Sequence, residues 1–144
     1  MSDCVFCKIA EGQIPATKVH ENELTLAFMD IGQVNPGHVL VAVKPHVENI
    51  FGLDDRLAAA VFQTAARVAR AVQKAYAPEG VTLYQANGAA AGQTVFHFHL
   101  HIVPRYDKDG MHLAWPAKNP PREQLELNAG RIRAALEPAA DQGR

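Results

Sequence analysis

Neither sign of charge is in excess here: 14 Lys and Arg stand against 15 Asp and Glu, a formal net charge of -1, so no strong field draws the chain to nucleic acid or to an anionic membrane. Any phosphate it binds must be held locally. No apolar run reaches the roughly 20 residues a spanning helix requires, and Met1-Ser2-Asp3-Cys4 lacks the basic and apolar regions of a secretory signal. A cytoplasmic protein is the expectation. Cysteine is scarce. Cys4 and Cys7 are the only two in 144 residues, too few for a disulfide framework but spaced for one metal or redox pair. Tryptophan occurs once, at Trp115. Neither an internal repeat nor a low-complexity linker is visible, and the length suits a single domain over 1–144.

What is present is 48% hydrophobic and distributed in two periods. Strand-like runs at Leu24 to Met29, His38 to Val43, Val81 to Gln85 and Val95 to Val103 are each bounded by Gly, Pro, Asn or Asp. These predict a mostly antiparallel sheet. Between the second and third, Leu57, Val61, Ala65, Val68, Val72 and Tyr76 recur at helical spacing over Asp55 to Tyr76, with Asp54 as N-cap and Pro78-Glu79-Gly80 as stop. A weaker helix is predicted from about Pro121 to Leu136, and disorder after Glu137. The fold class is α+β.

The run His97-Phe98-His99-Leu100-His101-Ile102-Val103 stands out. In a strand successive side chains point to opposite faces, so Val95, His97, His99, His101 and Val103 share one side while Phe96, Phe98, Leu100 and Ile102 form the core side. A solvated face is usually filled with Lys, Glu or Thr; three imidazoles in register imply chemistry. Two readings of the residues are open. Imidazoles bind catalytic metals that ionise water, and a neutral imidazole with its other nitrogen pinned is a nucleophile toward phosphorus. The preceding loop Asn87-Gly88-Ala89-Ala90-Ala91-Gly92-Gln93-Thr94 favours the second, because small residues let backbone amides approach an anion. It predicts a phosphate against His99, with Thr94 among its donors.

The stretch Gly92-Gln93-Thr94-Val95-Phe96-His97-Phe98-His99-Leu100-His101-Ile102-Val103-Pro104-Arg105 resembles the signature of the histidine-triad (HIT) superfamily, His-φ-His-φ-His-φ-φ with φ apolar. Cys4-Val5-Phe6-Cys7-Lys8-Ile9, Ile14-Pro15, Leu26-Ala27-Phe28-Met29-Asp30-Ile31, Pro36-Gly37-His38 and Lys44-Pro45-His46 are similar to successive landmarks of its Hint branch and bacterial relatives. The likeness covers about residues 3–105, leaving 106–144 as an extension. It implies a HIT-like fold: an antiparallel sheet of about five strands, one long helix, and shorter N- and C-terminal helices. It also implies a homodimer that binds purine nucleoside monophosphates and cleaves phosphoramidate or phosphoanhydride bonds.

Position by position, the resemblance makes His99 the nucleophile on the α-phosphorus, forming a nucleotidyl-histidine that water resolves. His101 then contacts the phosphate and assists proton transfer, while Gly92, Gln93, Thr94 and Val95 stabilise phosphoryl oxygens. Asp30 accepts the ribose hydroxyls; Phe6, Ile9, Phe28, Ile31 and Leu40 form the apolar slot for the base; Asn87 and His38 are further phosphate-side contacts. Bacterial HIT proteins are also similar in pairing the N-terminal Cys-x-x-Cys with two histidines, which here are His97 and His46. One structural Zn2+ held by Cys4, Cys7, His46 and His97 is the cofactor so implied.

After Arg105 the pattern diverges. Hint proteins commonly end soon after a Met-His-Trp-Pro stretch, whereas this chain has Met111-His112-Leu113-Ala114-Trp115-Pro116 and continues to Arg144. Three functions follow: a purine nucleoside phosphoramidase, a dinucleoside polyphosphate hydrolase resembling the Fhit branch, and a zinc-stabilised nucleotide- or partner-binding module with little turnover.

Overall fold

The computed structural model describes residues 3–138. Lys18–Glu21 (β1), Thr25–Met29 (β2), Val39–Val43 (β3), Gly80–Tyr84 (β4) and His99–Arg105 (β5) form one antiparallel sheet in the order β1-β2-β3-β5-β4. The helices are Val5–Ala10 (α1), Asp55–Tyr76 (α2) and Arg122–Ala135 (α3). The architecture is α+β, with one long helix and shorter ones toward both ends, as expected.

Period-two alternation divides the sheet into two apolar layers. On one side Ala27, Val39, Val41, Val43, Leu100 and Ile102 pack with Leu57, Val61, Ala65, Val68 and Val72 of α2. On the other, Leu26, Phe28, Leu40 and Ala42 pack with Phe6 and Ile9 of α1. Strand β3 is therefore covered on both faces, which is why Val-Leu-Val-Ala-Val reads as an unbroken apolar run. Each such Val or Leu removed from water contributes about 1.5–3 kcal/mol. The hydroxyls buried beside α2 are satisfied: Thr25 Oγ1 and Thr64 Oγ1 lie 2.7 Å apart, and Thr25 also donates to Asn22.

Helix α2 begins where its cap requires, with Asp54 Oδ1 accepting from the Leu57 amide at 2.8 Å. It ends at Ala77, which adopts φ 46°, ψ 50° and whose amide donates to the Gln73 carbonyl. By contrast α1 has only six residues, too few to be stable alone. Burial of Phe6 and Ile9 and the cysteines at its start hold it in place.

Two features differ from the sequence expectation. The strand expected from Val95 begins only at His99. Phe98 is instead tied by its amide to the Val47 carbonyl at 2.6 Å, and the alternation stops with it: Phe98 is buried, but Phe96, expected on the core side, is exposed. Strand β1 was not anticipated, being four residues long and mostly exposed. Its edge position leaves almost no apolar pattern to read.

The chain divides after Met111 into two compact units. The second holds α3, whose Leu125, Leu127 and Ile132 are exposed, as is Leu136 just past its end. The disorder expected after Glu137 falls, for residues 139–144, outside the described residues. No described helix is long and apolar enough to cross a membrane.

Candidate functional site

Strand β5 carries His99 and His101 on the sheet face opposite α2, and there they line a cleft of about 1120 Å³. Its wall combines Phe6 and Ile9 from α1 with Phe28, Asp30, Ile31 and Leu40 from β2, β3 and their connection; Thr94 and Val95 flank the histidines. Phe6 stands edge-on to Phe28 at 5.2 Å and to His99 at 5.0 Å between ring centres. Ile31, by contrast, projects fully into solvent at the rim.

The hydrogen bonds assign a role to each ring nitrogen. His99 Nδ1 lies 2.6 Å from the His97 carbonyl; a carbonyl only accepts, so Nδ1 bears the proton and Nε2 keeps its lone pair. His38 is set the opposite way. Its Nδ1 accepts from the Val34 amide at 3.2 Å, so its proton sits on Nε2, which faces His101 Nδ1 at 2.9 Å. His101 Nδ1 thereby accepts this hydrogen bond, and the ring carries its own proton on Nε2. The relay is held by Gln33, whose side chain accepts from the Gly37 and His38 amides and donates to the His38 carbonyl. Gly37 has φ +97° and a Cβ there would lie 2.7 Å from the Tyr76 ring, so the turn presenting His38 needs glycine.

Burial keeps these rings neutral. Desolvation lowers the affinity of His38, His97 and His99 for a second proton, opposed for His99 by its bond to the His97 carbonyl and for His38 by the Asp30 carboxylate. His101 is pushed down to about 4, first by burial and then by His99 and His38, while Asp30 pulls the other way. A neutral imidazole is the form that nucleophilic attack needs.

His97 turns away from the cleft. It is fully buried, its Nε2 donates to the Val43 carbonyl at 2.6 Å, and its Nδ1 lies 3.3 Å from Cys4 Sγ and 3.5 Å from Cys7 Sγ. His46 Nδ1 is 3.3 Å from Cys7 Sγ, and all four ligand atoms fall within 4.8 Å of one another. A tetrahedral ion bound at roughly 2.0–2.3 Å separates its ligand atoms by about 3.3–3.8 Å. The donor set and its dimensions fit a closed four-coordinate metal site. Asp30, His38 and His101 also cluster within that distance, but the proton on His38 Nε2 occupies the lone pair a metal would take, which marks this second group as a proton relay.

The loop before β5 is built differently from a simple amide cradle. Gly88 (φ +90°) and Gly92 (φ +93°) bracket a 3-10 turn over Ala89–Ala91. Within it the Ala91, Gly92 and Gln93 amides donate to the Gly88 and Ala89 carbonyls. Gln93 is buried, with its side chain accepting from the Gly88 amide and donating to the Glu48 and Val95 carbonyls. Asn87 accepts from the Ile50 amide and from Gln85. Thus Asn87, Gly92 and Gln93 shape the loop, while Thr94 and Val95 meet the cleft. His38 lies behind His101 and is not part of the cleft wall.

Tyr84 carried no sequence signal, being a lone aromatic on the edge strand. It pairs with His101 across β4 and β5, stands edge-on to that ring at 5.6 Å, and donates to the Ala91 carbonyl at 3.3 Å. Trp115 belongs to the second unit.

Residues 11–108 match the HIT domain. The chain belongs to the HIT family. Among HIT relatives, Protein hit of Bacillus subtilis is 47% identical over 114 residues, 78% of this chain and 79% of its own length. An adenosine 5'-monophosphoramidase of Schizosaccharomyces pombe is 38% identical over 115 residues, 79% and 84% respectively. A HIT family protein from Bacillus anthracis has a crystal structure that superposes with a TM-score of 0.91 at 41% identity, covering 94% of this chain and 99% of that one. A Zn-bound histidine triad protein from Mycobacterium smegmatis superposes at 0.72 with 32% identity, covering 93% and 98%.

Proposed function

We propose that this HIT protein hydrolyses purine nucleoside 5'-phosphoramidates through a nucleotidyl-histidine, working in the cytoplasm as a homodimer. The tautomer of His99 carries the reading. With Nδ1–H donated to the His97 carbonyl, Nε2 offers its lone pair to the α-phosphorus. The bond from His99 Nε2 to phosphorus forms as the P–N bond to the leaving group breaks, and His101 Nε2–H gives its proton to the departing amine. Water then displaces His99: its oxygen bonds to phosphorus as the N–P bond breaks, and its released proton returns to His101 Nε2, giving nucleoside monophosphate and two neutral rings. Thr94 lies on the phosphate side of the cleft, Asp30 receives the ribose hydroxyls, and Phe6, Ile9, Phe28, Ile31 and Leu40 accept the base. The phosphoramidase relative from fission yeast supports this substrate class.

A fluorogenic adenosine phosphoramidate tests it. His99→Ala is expected to lower release by at least about 10³-fold, the scale of losing a covalent nucleophile, with AMP binding retained. Binding without His99-dependent release would leave a nucleotide- or partner-binding module. For the second substrate class, a dinucleoside polyphosphate, the ratio of the two kcat/KM values separates it from the first.

Cys4, Cys7, His46 and His97 would hold one structural Zn2+, which would tie α1 to the segment entering β5 and supply no step of the reaction. The Zn-bound relative supports this ion. Native mass spectrometry of protein purified without chelator is expected to show one zinc per chain that is lost in Cys4→Ser; a metal-free wild type would overturn the assignment.

A further inference from the structure

Asp30 sits just beyond β2 with its two carboxylate oxygens used differently. Oδ1 accepts from the Gly32 amide at 2.7 Å, which fixes the plane of the group. Oδ2 lies 3.3 Å from His38 Nε2 and 3.6 Å from His101 Nδ1, while those two nitrogens are 2.9 Å apart. One proton, on His38 Nε2, therefore faces two acceptors at once. The carboxylate is also part of the cleft wall and remains partly open to it, with 18% of its side chain exposed. A nucleotide whose ribose hydroxyls reach Asp30 has to compete for Oδ2 with the histidine pair.

We propose that Asp30 exchanges partners, facing His38 and His101 in the open site and the vicinal ribose hydroxyls in the filled one, so that recognition of the sugar is transmitted to the proton-donating ring. This rests on the nucleotide reading above and adds to it a specificity determinant that acts on the acid, in addition to binding.

The direction follows from charge. In the open site the anion near His101 favours its protonated form; two hydroxyl donors drawing on the same oxygens weaken that effect, and His101 becomes a stronger acid. The groups facing His101 are His99 on its own strand, His38 ahead of β3, Tyr84 on β4 and Asp30 after β2. Asp30 is the only anion among them, and burial with the two neighbouring histidines works against it. A ribonucleotide therefore meets a more acidic His101 than the same nucleotide without its hydroxyls.

The test uses full-length protein carrying 13C-labelled histidine, with the His101 resonance identified by its loss in His101→Gln. Its titration is followed without ligand, with saturating AMP, and with saturating 2',3'-dideoxyadenosine monophosphate, which shares the base and the phosphate. The His101 midpoint with AMP is expected to lie roughly 0.5–1 pH unit below that with the dideoxy compound, a fraction of the one to three units a contacting opposite charge produces. In Asp30→Asn the ligand-free midpoint is expected to fall, and the dideoxy complex, which needs no diol contact, is expected to match the AMP complex of the wild type. Equal midpoints for the two wild-type complexes, or a ligand-free Asp30→Asn midpoint unchanged from wild type, would overturn the exchange. If neither nucleotide perturbs the Phe6 and Phe28 resonances, the nucleotide reading itself fails and this inference with it, an outcome distinct from binding without a difference.

Discussion

His38 contacts no part of the cleft surface, yet it decides which nitrogen of His101 is protonated. A backbone amide donating to Nδ1 leaves His38 one N–H, and that N–H is directed to His101 Nδ1. Remove the ring and His101 loses the donor that keeps its own proton on the cleft side. His38→Ala is accordingly expected to lower kcat on the phosphoramidate by about 10²-fold with a much smaller change in KM; an equal rise in KM with unchanged kcat would show that His38 serves binding only. At this scale the sequence was informative unevenly. Strand alternation brought His99 and His101 to one face and His97 with them, but it could not show that His97 precedes the strand and turns to Cys4 and Cys7, because that depends on the Val43 carbonyl contacted by its ring. Nor could spacing distinguish a glutamine facing phosphate from one clamping a loop: Gln93 is fixed by the Glu48 carbonyl, 45 residues away. Tyr84 escaped for the same reason, since its place beside His101 is set by the pairing of β4 with β5.

Elements were legible in proportion to how many periods they contain. The 22 residues of α2 repeat their apolar stripe often enough to mark both ends, whereas α1 and β1, of six and four residues, contain too little pattern and exist by packing. The end of α2 also shows a local conflict between sequence and geometry. Ala77 occupies the left-handed region at φ 46°, where a Cβ costs about 1–2 kcal/mol, and it is exposed with no packing to offset this. Ala77→Gly removes that strain while adding freedom to the unfolded chain worth about 0.4–1 kcal/mol. A net stabilisation of about 0.5–1 kcal/mol is expected, read as a higher urea midpoint at unchanged m-value; a lower midpoint would mean that Ala77 is not strained.

For the molecule as a whole, the burial that keeps its histidines neutral couples folding to pH. A histidine held below its unfolded value near 6.5 is neutral when folded and takes up a proton on unfolding, so its contribution is complete above pH 6.5 and is lost as the pH falls toward the folded value. For His101, at about 4 and with 24% of its side chain exposed, the full loss amounts to about 3 kcal/mol between pH 6.5 and 4. Asp109 has the same sign in a lower window. The Arg105 guanidinium, then the Met111 and Tyr106 amides and Asn35, hold its carboxyl far below the ordinary range against the opposing effect of burial, so its contribution survives to about pH 4 and goes only under stronger acid. This ion pair joins the end of β5 to the 33–38 turn through Asn35, and its protonation weakens that tie while the bond from Asn35 to the Pro104 carbonyl remains. Acid unfolding is therefore expected in two stages. Urea midpoints measured from pH 7.5 to 3 would show a decline beginning near pH 6.5 that is shallower in His101→Gln, then a second decline below pH 4 that is absent in Asp109→Asn. Because protonation of the cysteine and histidine ligands also weakens a metal site in the first window, the difference between wild type and His101→Gln is the decisive quantity; parallel curves for the two proteins down to pH 4 would show that His101 is not held neutral by the fold.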